Sequence, residues 1–288
     1  MNEPFKLFVR NSKYTDALSY ANWDSVFREM EYLELTGLDG VMTQYTGLSP
    51  SAAVVYTANI ASQNGSVFQS SRLNTRNIVL TFTLLSNIED NRRIIYKYFS
   101  TGEKVTLYYY GTRDVWIDGY VETMNVNQFA ETPHKQVIQV SILCPDPLLK
   151  SIEDISFTNL SGGQDHVINY GGEHAYGLKV KMVFSGNTTN PYIYNRQDEP
   201  LEDGLVRVMG SFTANDTLEI CTIQGQRSVI KTTTSGGSSS KYNMITDLDL
   251  PIKWTRIHPD YNVVRISADE NGSRITADVT IVNVYGGV

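Results

Sequence analysis

The chain has 288 residues, enough for two domains of ordinary size, and its 41% hydrophobic and 19% charged content excludes wholesale disorder. A net charge of −7 lacks the basic excess that a nucleic-acid backbone binder needs. No apolar run approaches the ~20 residues of a membrane span, and the opening Met-Asn-Glu-Pro-Phe-Lys holds an acid and a proline where a secretory signal would begin, so a soluble protein made in the cytoplasm is expected.

Residues 5–9 are expected to form a first strand, followed by a polar turn around Asn11 and Ser12. Residues 22–38 carry two patterns: Val26, Met30 and Leu33 at helical spacing, and Leu33 to Thr36 alternating as in a strand. Residues 37–65, with Gly37, Gly40, Gly47, Pro50 and Gly65, are expected to make a long irregular excursion with a short strand over 53–60. One helix is predicted over residues 87–100. Ser86 and Glu89 make a capping box, Ile88, Ile95 and Phe99 mark its apolar face, and Gly102 accepts the left-handed turn beyond its end.

Residues 105–110 and 115–121 are β-rich runs joined by Gly111-Thr-Arg-Asp114, a hairpin signal. Residues 126–140 lead into a strand whose Ile138, Val140, Ile142 and Cys144 share one face. Pro145 and Pro147 end it, since neither donates to a ladder. This α+β unit of one helix on antiparallel strands closes at Pro147, which places a domain boundary at 150/151 and gives domains 1–150 and 151–288.

Beyond Lys150, short strands separated by turns are predicted over 177–184, 191–194, 205–208, 216–223, 227–232, 263–268 and 275–285, the pattern of a β-sandwich or jelly roll. Two hairpins are expected. One has a flexible tip at Ser235-Gly-Gly-Ser-Ser-Ser240; the other turns at Asn271-Gly272, with Val264, Ile266 and Ala268 facing the same core as Ile275, Ala277, Val279 and Ile281. The whole chain is therefore mainly β.

Nothing in the sequence spells an active site. His134, His166, His174 and His258 lack any metal-ligating spacing, and the two cysteines, Cys144 and Cys221, have no CxxC neighbour and are expected to be reduced. The carboxylate pairs Asp198/Glu199, Glu202/Asp203 and Glu153/Asp154 lie in polar loops, where solvated charge is the ordinary outcome. No serine sits in a Gly-x-Ser-x-Gly elbow, and Gly236 to Lys241 lacks phosphate-loop spacing. Neither cofactor nor metal is expected. Aromatics are the alternative signal: Tyr108, Tyr109, Tyr110, Trp116 and Trp254 are candidates for partner contact, with core packing as the competing role.

The order of Asn64-Gly65-Ser66, the Arg72 and Arg76 region, the helix, and Cys144-Pro145-Asp146-Pro147 resembles the distal tail proteins of long-tailed phages that infect Gram-positive bacteria. The resemblance continues loosely through Asn169-Tyr-Gly-Gly172 and residues 257–262 to Tyr285-Gly-Gly-Val288; Pro259-Asp-Tyr-Asn262 departs from the family's usual Pro-Gly-Asn. It implies an extended strand after Met30, a ring-forming N-terminal domain and a galectin-like C-terminal sandwich. It further implies a non-enzymatic homo-hexamer at the virion tail tip, assembled in the host cytoplasm, with a channel for DNA and no specific nucleic-acid binding. The implied partners are the tail tube protein, a tail-associated lysin or tail fibre protein, and receptor-binding proteins. The competing expectation is a carbohydrate-binding adhesion module, for which Trp254 beside Lys253 and Arg256 would supply the stacking ring.

Overall fold

The structure, a computed structural model, describes residues 6–11, 32–60, 64–127, 135–197 and 204–288. The chain separates into two compact units: Met1–Ile152 together with Tyr285–Val288, and Glu153–Val284. The last four residues thus belong with the first unit, which sequence patterning gave no reason to expect.

The first unit contains β1 (Lys6–Asn11), β2 (Leu33–Glu34), β3 (Val41–Thr46), β4 (Ala53–Asn59), β5 (Ser66–Leu73), β6 (Arg76–Leu84), α1 (Ile88–Tyr98), β7 (Lys104–Tyr110), β8 (Val115–Asn127), β9 (Gln136–Cys144) and the start of β10 (Leu149–Ser161). The sheet runs β3-β6-β9-β8-β7-β1-β2 through antiparallel pairs, whereas β4 and β5, among the described strands, pair only with each other. Alternation sets the faces. Ile78, Leu80, Phe82 and Leu84 of β6 and Ile138, Val140, Ile142 and Cys144 of β9 are all buried. Onto them packs α1, with Ile95 and Phe99 at zero exposure and the Phe82 and Phe99 rings 5.7 Å apart.

Two local expectations fail here. The capping box does not form: Asn87 caps the helix in a left-handed conformation (φ 47°) without a side-chain bond, and Glu89 turns outward to Arg92. The helix start is held from within by Asn91, whose side-chain amide donates to the carbonyls of Ser86 and Asp39 at 3.0 Å each. Nor is the stretch after Gly37 irregular, because β3 pairs with β6 from Val41↔Leu84 to Thr46↔Val79. Of the ambiguous 22–38 segment, Leu33–Glu34 is strand; Val26 and Met30 lie outside the described residues. The β7–β8 hairpin forms where Gly111 to Asp114 predicted it, and Gly102 takes φ +84°.

The second unit continues β10 and adds β11 (Asp165–Tyr170), β12 (Lys179–Phe184), β13 (Thr188–Asn195), β14 (Val206–Arg207), β15 (Ser211–Phe212), β16 (Asp216–Cys221), β17 (Ser228–Ser235), β18 (Ser238–Asn243), β19 (Asp260–Glu270) and β20 (Ile275–Tyr285). Its strands form two layers, β18-β17-β16-β12-β20-β10 and β11-β19-β13-β14, with β15 also on β13. Phe184 of one layer stacks on Phe212 of the other at 4.8 Å, inside a β-sandwich core. The Ser235–Ser240 tip is shorter than expected: Gly236 and Gly237 alone turn the chain, at φ 58° and 83°, and Ser238 onward is already in the ladder. Residues 260–285 are not a hairpin. Strand β19 is flanked by β11 and β13, and β20 by β12 and β10, so each already has both edges filled. Asn271 (φ 59°) and a 3-10 turn at Gly272–Arg274 pass the chain between layers, and the two apolar rows meet across the core.

Replacing both Ile95 and Phe99 with Asp should abolish folding of the first unit, since each side chain loses roughly 1.5–3 kcal/mol of burial and a charge is forced against the sheet. Circular dichroism and thermal melts of the double variant check this; an unchanged melt would place the face in solvent.

Candidate functional site

The sequence motifs meet at one side chain. Arg76 opens β6 opposite Cys144, the last residue of β9, and is only 3% exposed. Its Nη1 donates to the carbonyls of Gly47 and Ser49 at 2.6 and 2.7 Å, its Nε to Pro147 at 2.7 Å, and its Nη2 to Gly286 at 2.5 Å. Gly47 can offer its carbonyl here because it lies at φ +93° with a Cβ position 2.1 Å from the Asn77 carbonyl, a space no side chain could share. Asp146 shapes the other side: one carboxylate oxygen accepts from the Leu148 amide at 3.2 Å and the other pairs with Lys150 at 3.0 Å. Prolines on either side leave Pro147's carbonyl pointing at the guanidinium. The tail is held again by Val288, whose amide donates to Leu48 at 3.2 Å.

Burial pulls the Arg76 pKa below its usual value, and a guanidinium keeps its charge in proteins. Burial pushes the Cys144 thiol up to about 12, with Arg76 pulling the other way. That sulfur is a packed apolar group and not a nucleophile. Cys144, Pro145, Asp146, Pro147 and Arg76 therefore make a structural joint.

Asn64, Gly65, Ser66 and Arg72 lie elsewhere, on the β4–β5 ribbon. Ser66 pairs with Asn59, and the Arg72 guanidinium sits over the Tyr56 ring at 5.8 Å. Every residue of β5 is exposed, as are Phe68 (61%), Val55 (56%), Val67 and Tyr56. From Leu48 to Thr75 the only charged residue is Arg72, where a 19% average would give about five. Register and a bulge between Tyr56 and Thr57 put Tyr56 on one face of the ribbon with Val67, and Val55 on the other with Phe68, so neither face is polar. Sequence patterning identified the β4 strand but not this exposure; the missing charge was the available signal.

The candidate aromatics are mostly engaged within the fold. Tyr108 is fully buried, so it packs the core and cannot meet a partner from there. Tyr109 sits edge-on to Tyr45 at 6.1 Å, and Tyr110 to Phe8 at 5.6 Å. Trp116 donates to the Ser151 carbonyl at 3.0 Å with the Lys150 ammonium 4.8 Å from its ring centre. Trp254 is half-buried, and the Arg227 guanidinium covers its ring at 5.2 Å, removing a face on which a sugar would stack. A groove of about 520 Å³ on the second unit runs past Lys179, Lys181, Glu219, Gln226 and Asp278, and no aromatic ring lines it.

Glu153 and Asp154 are neighbours on β10 and point to opposite faces, so they cannot converge on one bond. His134, Asp198, Glu199, Glu202 and Asp203 lie outside the described residues. Among the described residues no three His, Cys, Asp or Glu side chains gather as metal ligands, and no helix is long and apolar enough to cross a membrane.

Residues 29–144 match the phage tail protein RIFT-related domain family. The fold is similar to the crystal structure of the SPP1 Dit protein, described as a paradigm of the hub adsorption apparatus in phages infecting Gram-positive bacteria. That match has a TM-score of 0.65 at 13% identity and covers 88% of this chain and 96% of that one. It is also similar to a chain of the phage P2 baseplate in its activated conformation with Ca, with a TM-score of 0.50 at 11% identity, covering 97% and 98%. No curated protein matches the sequence. The family match lies within the first unit, and the two solved structures show the fold.

Replacing Arg76 with Met should destabilise the first unit by about 3–5 kcal/mol, because buried carbonyls of three separate segments lose a charged donor. Chemical denaturation read by the first unit's tryptophans checks it; an unshifted midpoint would show that water replaces the guanidinium. Cys144 should resist iodoacetamide at pH 8 in the native protein and react only in denaturant, as peptide mass spectrometry would record.

Proposed function

We propose that this chain is a structural hub at the distal end of a phage tail. Six copies form a ring that extends the tail tube, joins it to the tail-tip and receptor-binding proteins, and leaves a channel for DNA. The first unit, in this proposal residues 1–150 completed by the tail, forms the ring; the second carries or supports the adsorption proteins. No catalytic role is assigned to either.

The observation that carries the proposal is the β4–β5 ribbon. A two-stranded ribbon is marginal in water, and this one exposes apolar side chains on both faces with almost no charge. Such a surface is the composition of an interface core, depleted in charge and holding Tyr and Phe. It calls for protein partners rather than for a small ligand or a glycan.

Native mass spectrometry of the full chain, alone and with the tail tube protein, should show six-copy species. A chain that stays monomeric at every concentration and does not join tail particles overturns the proposal. The net charge of −7 per copy also predicts no retention of double-stranded DNA in filter binding at about 50 mM salt, where phosphate attraction is least screened. Tight binding there would replace a conduit with a protein that grips the genome.

A further inference from the structure

The outer face of the sandwich's β11-β19-β13-β14 layer is built from arginine and tyrosine. In β13 the inward Pro191, Ile193 and Asn195 are buried, so Tyr192 and Tyr194 point outward, with their rings stacked at 6.1 Å. Register sets Arg207 of β14 beside Tyr192 and Arg265 of β19 beside Tyr194. The Arg207 guanidinium lies 5.5 Å from the Tyr192 ring centre. Arg196, just past β13, pairs with Asp165 of β11 at 2.9 Å, and the same carboxylate takes Arg265 at 3.4 Å. Arg207 is served less well: Asp249 and Asp269 stand 3.6 and 3.5 Å away, and Asp269 already accepts from the Asn190 amide at 3.0 Å. The Nε groups of Arg207 and Arg265 have no acceptor among the described residues. Toward β11 the same face turns apolar, with Val167 and Tyr261 exposed.

Resting on the hub reading above, we infer that this Arg–Tyr face is where the second unit receives an adsorption protein, through an acidic segment of that protein. The chemistry selects the occupant. Tyrosine and arginine dominate protein interfaces, because each brings a flat, rigid surface that loses little freedom on contact. The cations here are all guanidinium groups, whose planar forks match carboxylates that accept two N–H bonds at once. On a chain of net charge −7, three arginines against Asp165 and Asp269 make this face a local excess of positive charge, which steers an acidic segment toward it. A sugar fits less well, since the facing sides of the two tyrosine rings are turned to each other and Arg207 lies over Tyr192. A second copy meeting this face with its own would set arginines against arginines.

Biolayer interferometry of the full chain against each purified tail-tip and receptor-binding protein of the same phage tests the inference. One of them should bind, and Arg207→Glu and Val167→Asp should each weaken that binding by about tenfold or more. Raising salt from about 50 to about 300 mM should weaken it as well, as a charge-steered contact requires. Val167 is exposed, so its variant should keep the wild-type circular dichroism and melt. Both variants should still form rings by native mass spectrometry, because the ring is assigned to the first unit. A benzophenone amino acid in place of Tyr261 should cross-link to a peptide of the bound protein that is rich in Asp and Glu. Equal binding by wild type and both variants, or a cross-linked peptide without carboxylates, overturns the inference and leaves the hub standing. So does a cross-link only to a second copy, or a ring that binds none of these proteins. A chain that neither forms rings nor binds any tail protein overturns both.

Discussion

The first unit depends on a buried guanidinium that, among the described residues, no carboxylate neutralises. Arg76 is almost inaccessible, and its partners are the carbonyls of Gly47, Ser49, Pro147 and Gly286. Moving an isolated charge out of water is costly, and only several aligned acceptors offset it. Arginine suits the task because its planar fork holds donors in fixed directions, so one side chain can fix three segments that share no ladder. A lysine would carry the same charge on a rotating point and could not reach carbonyls on opposite sides. The loop after β3, the turn after β9 and the tail therefore keep their relative positions through one group.

With that joint rigid, the ribbon that leaves it can afford to be unsupported. Strand β4 begins just after Ser49 and Pro50, and β5 ends three residues before Arg76, so both ends of the ribbon are anchored at the guanidinium. Among the described strands the ribbon pairs only within itself, from Ala53↔Leu73 to Asn59↔Ser66. A stable base carrying an exposed arm with a single charge, Arg72, is the arrangement that fits the assembly proposed above.

How much of this was legible in the sequence follows from how local each cause is. Period-2 alternation alone determines which side of β9 is buried, and Ile138 to Cys144 read correctly. The β7–β8 turn and the α1 face are likewise set within a few residues. The capping box failed because Glu89 had a second option in Arg92 one turn on, and because Asn91 found the Asp39 carbonyl far away in sequence. Asn271-Gly272 failed for a related reason. The dipeptide does turn the chain, but whether the flanking strands pair depends on which strands already fill their edges, and that is a property of the whole sandwich. Arg76 was singled out only as part of a resemblance; its role involves Gly286, 210 residues away, which no window can see.

That long separation also explains how the second unit is accommodated. It is inserted between Ile152 and Tyr285 of the first, so the joint at Arg76 closes only if the insert returns the chain to its starting point. A disordered insert of that length would oppose closure by an entropy growing as the logarithm of its length. The sandwich removes that cost by its topology. Its first and last strands, β10 and β20, are neighbours in one sheet, linked by Ser156 and Thr280 at 3.3 Å and by the Asn159 amide on Asp278 at 2.9 Å. Entry and exit are thereby held side by side once the insert folds, and Tyr285 to Val288 are delivered to Leu48 and Arg76 as if the connection were a short loop. Insertions or deletions in the sandwich's other loops leave that delivery intact, whereas any slip between β10 and β20 would move Gly286 away from the guanidinium by about 3.3 Å per residue.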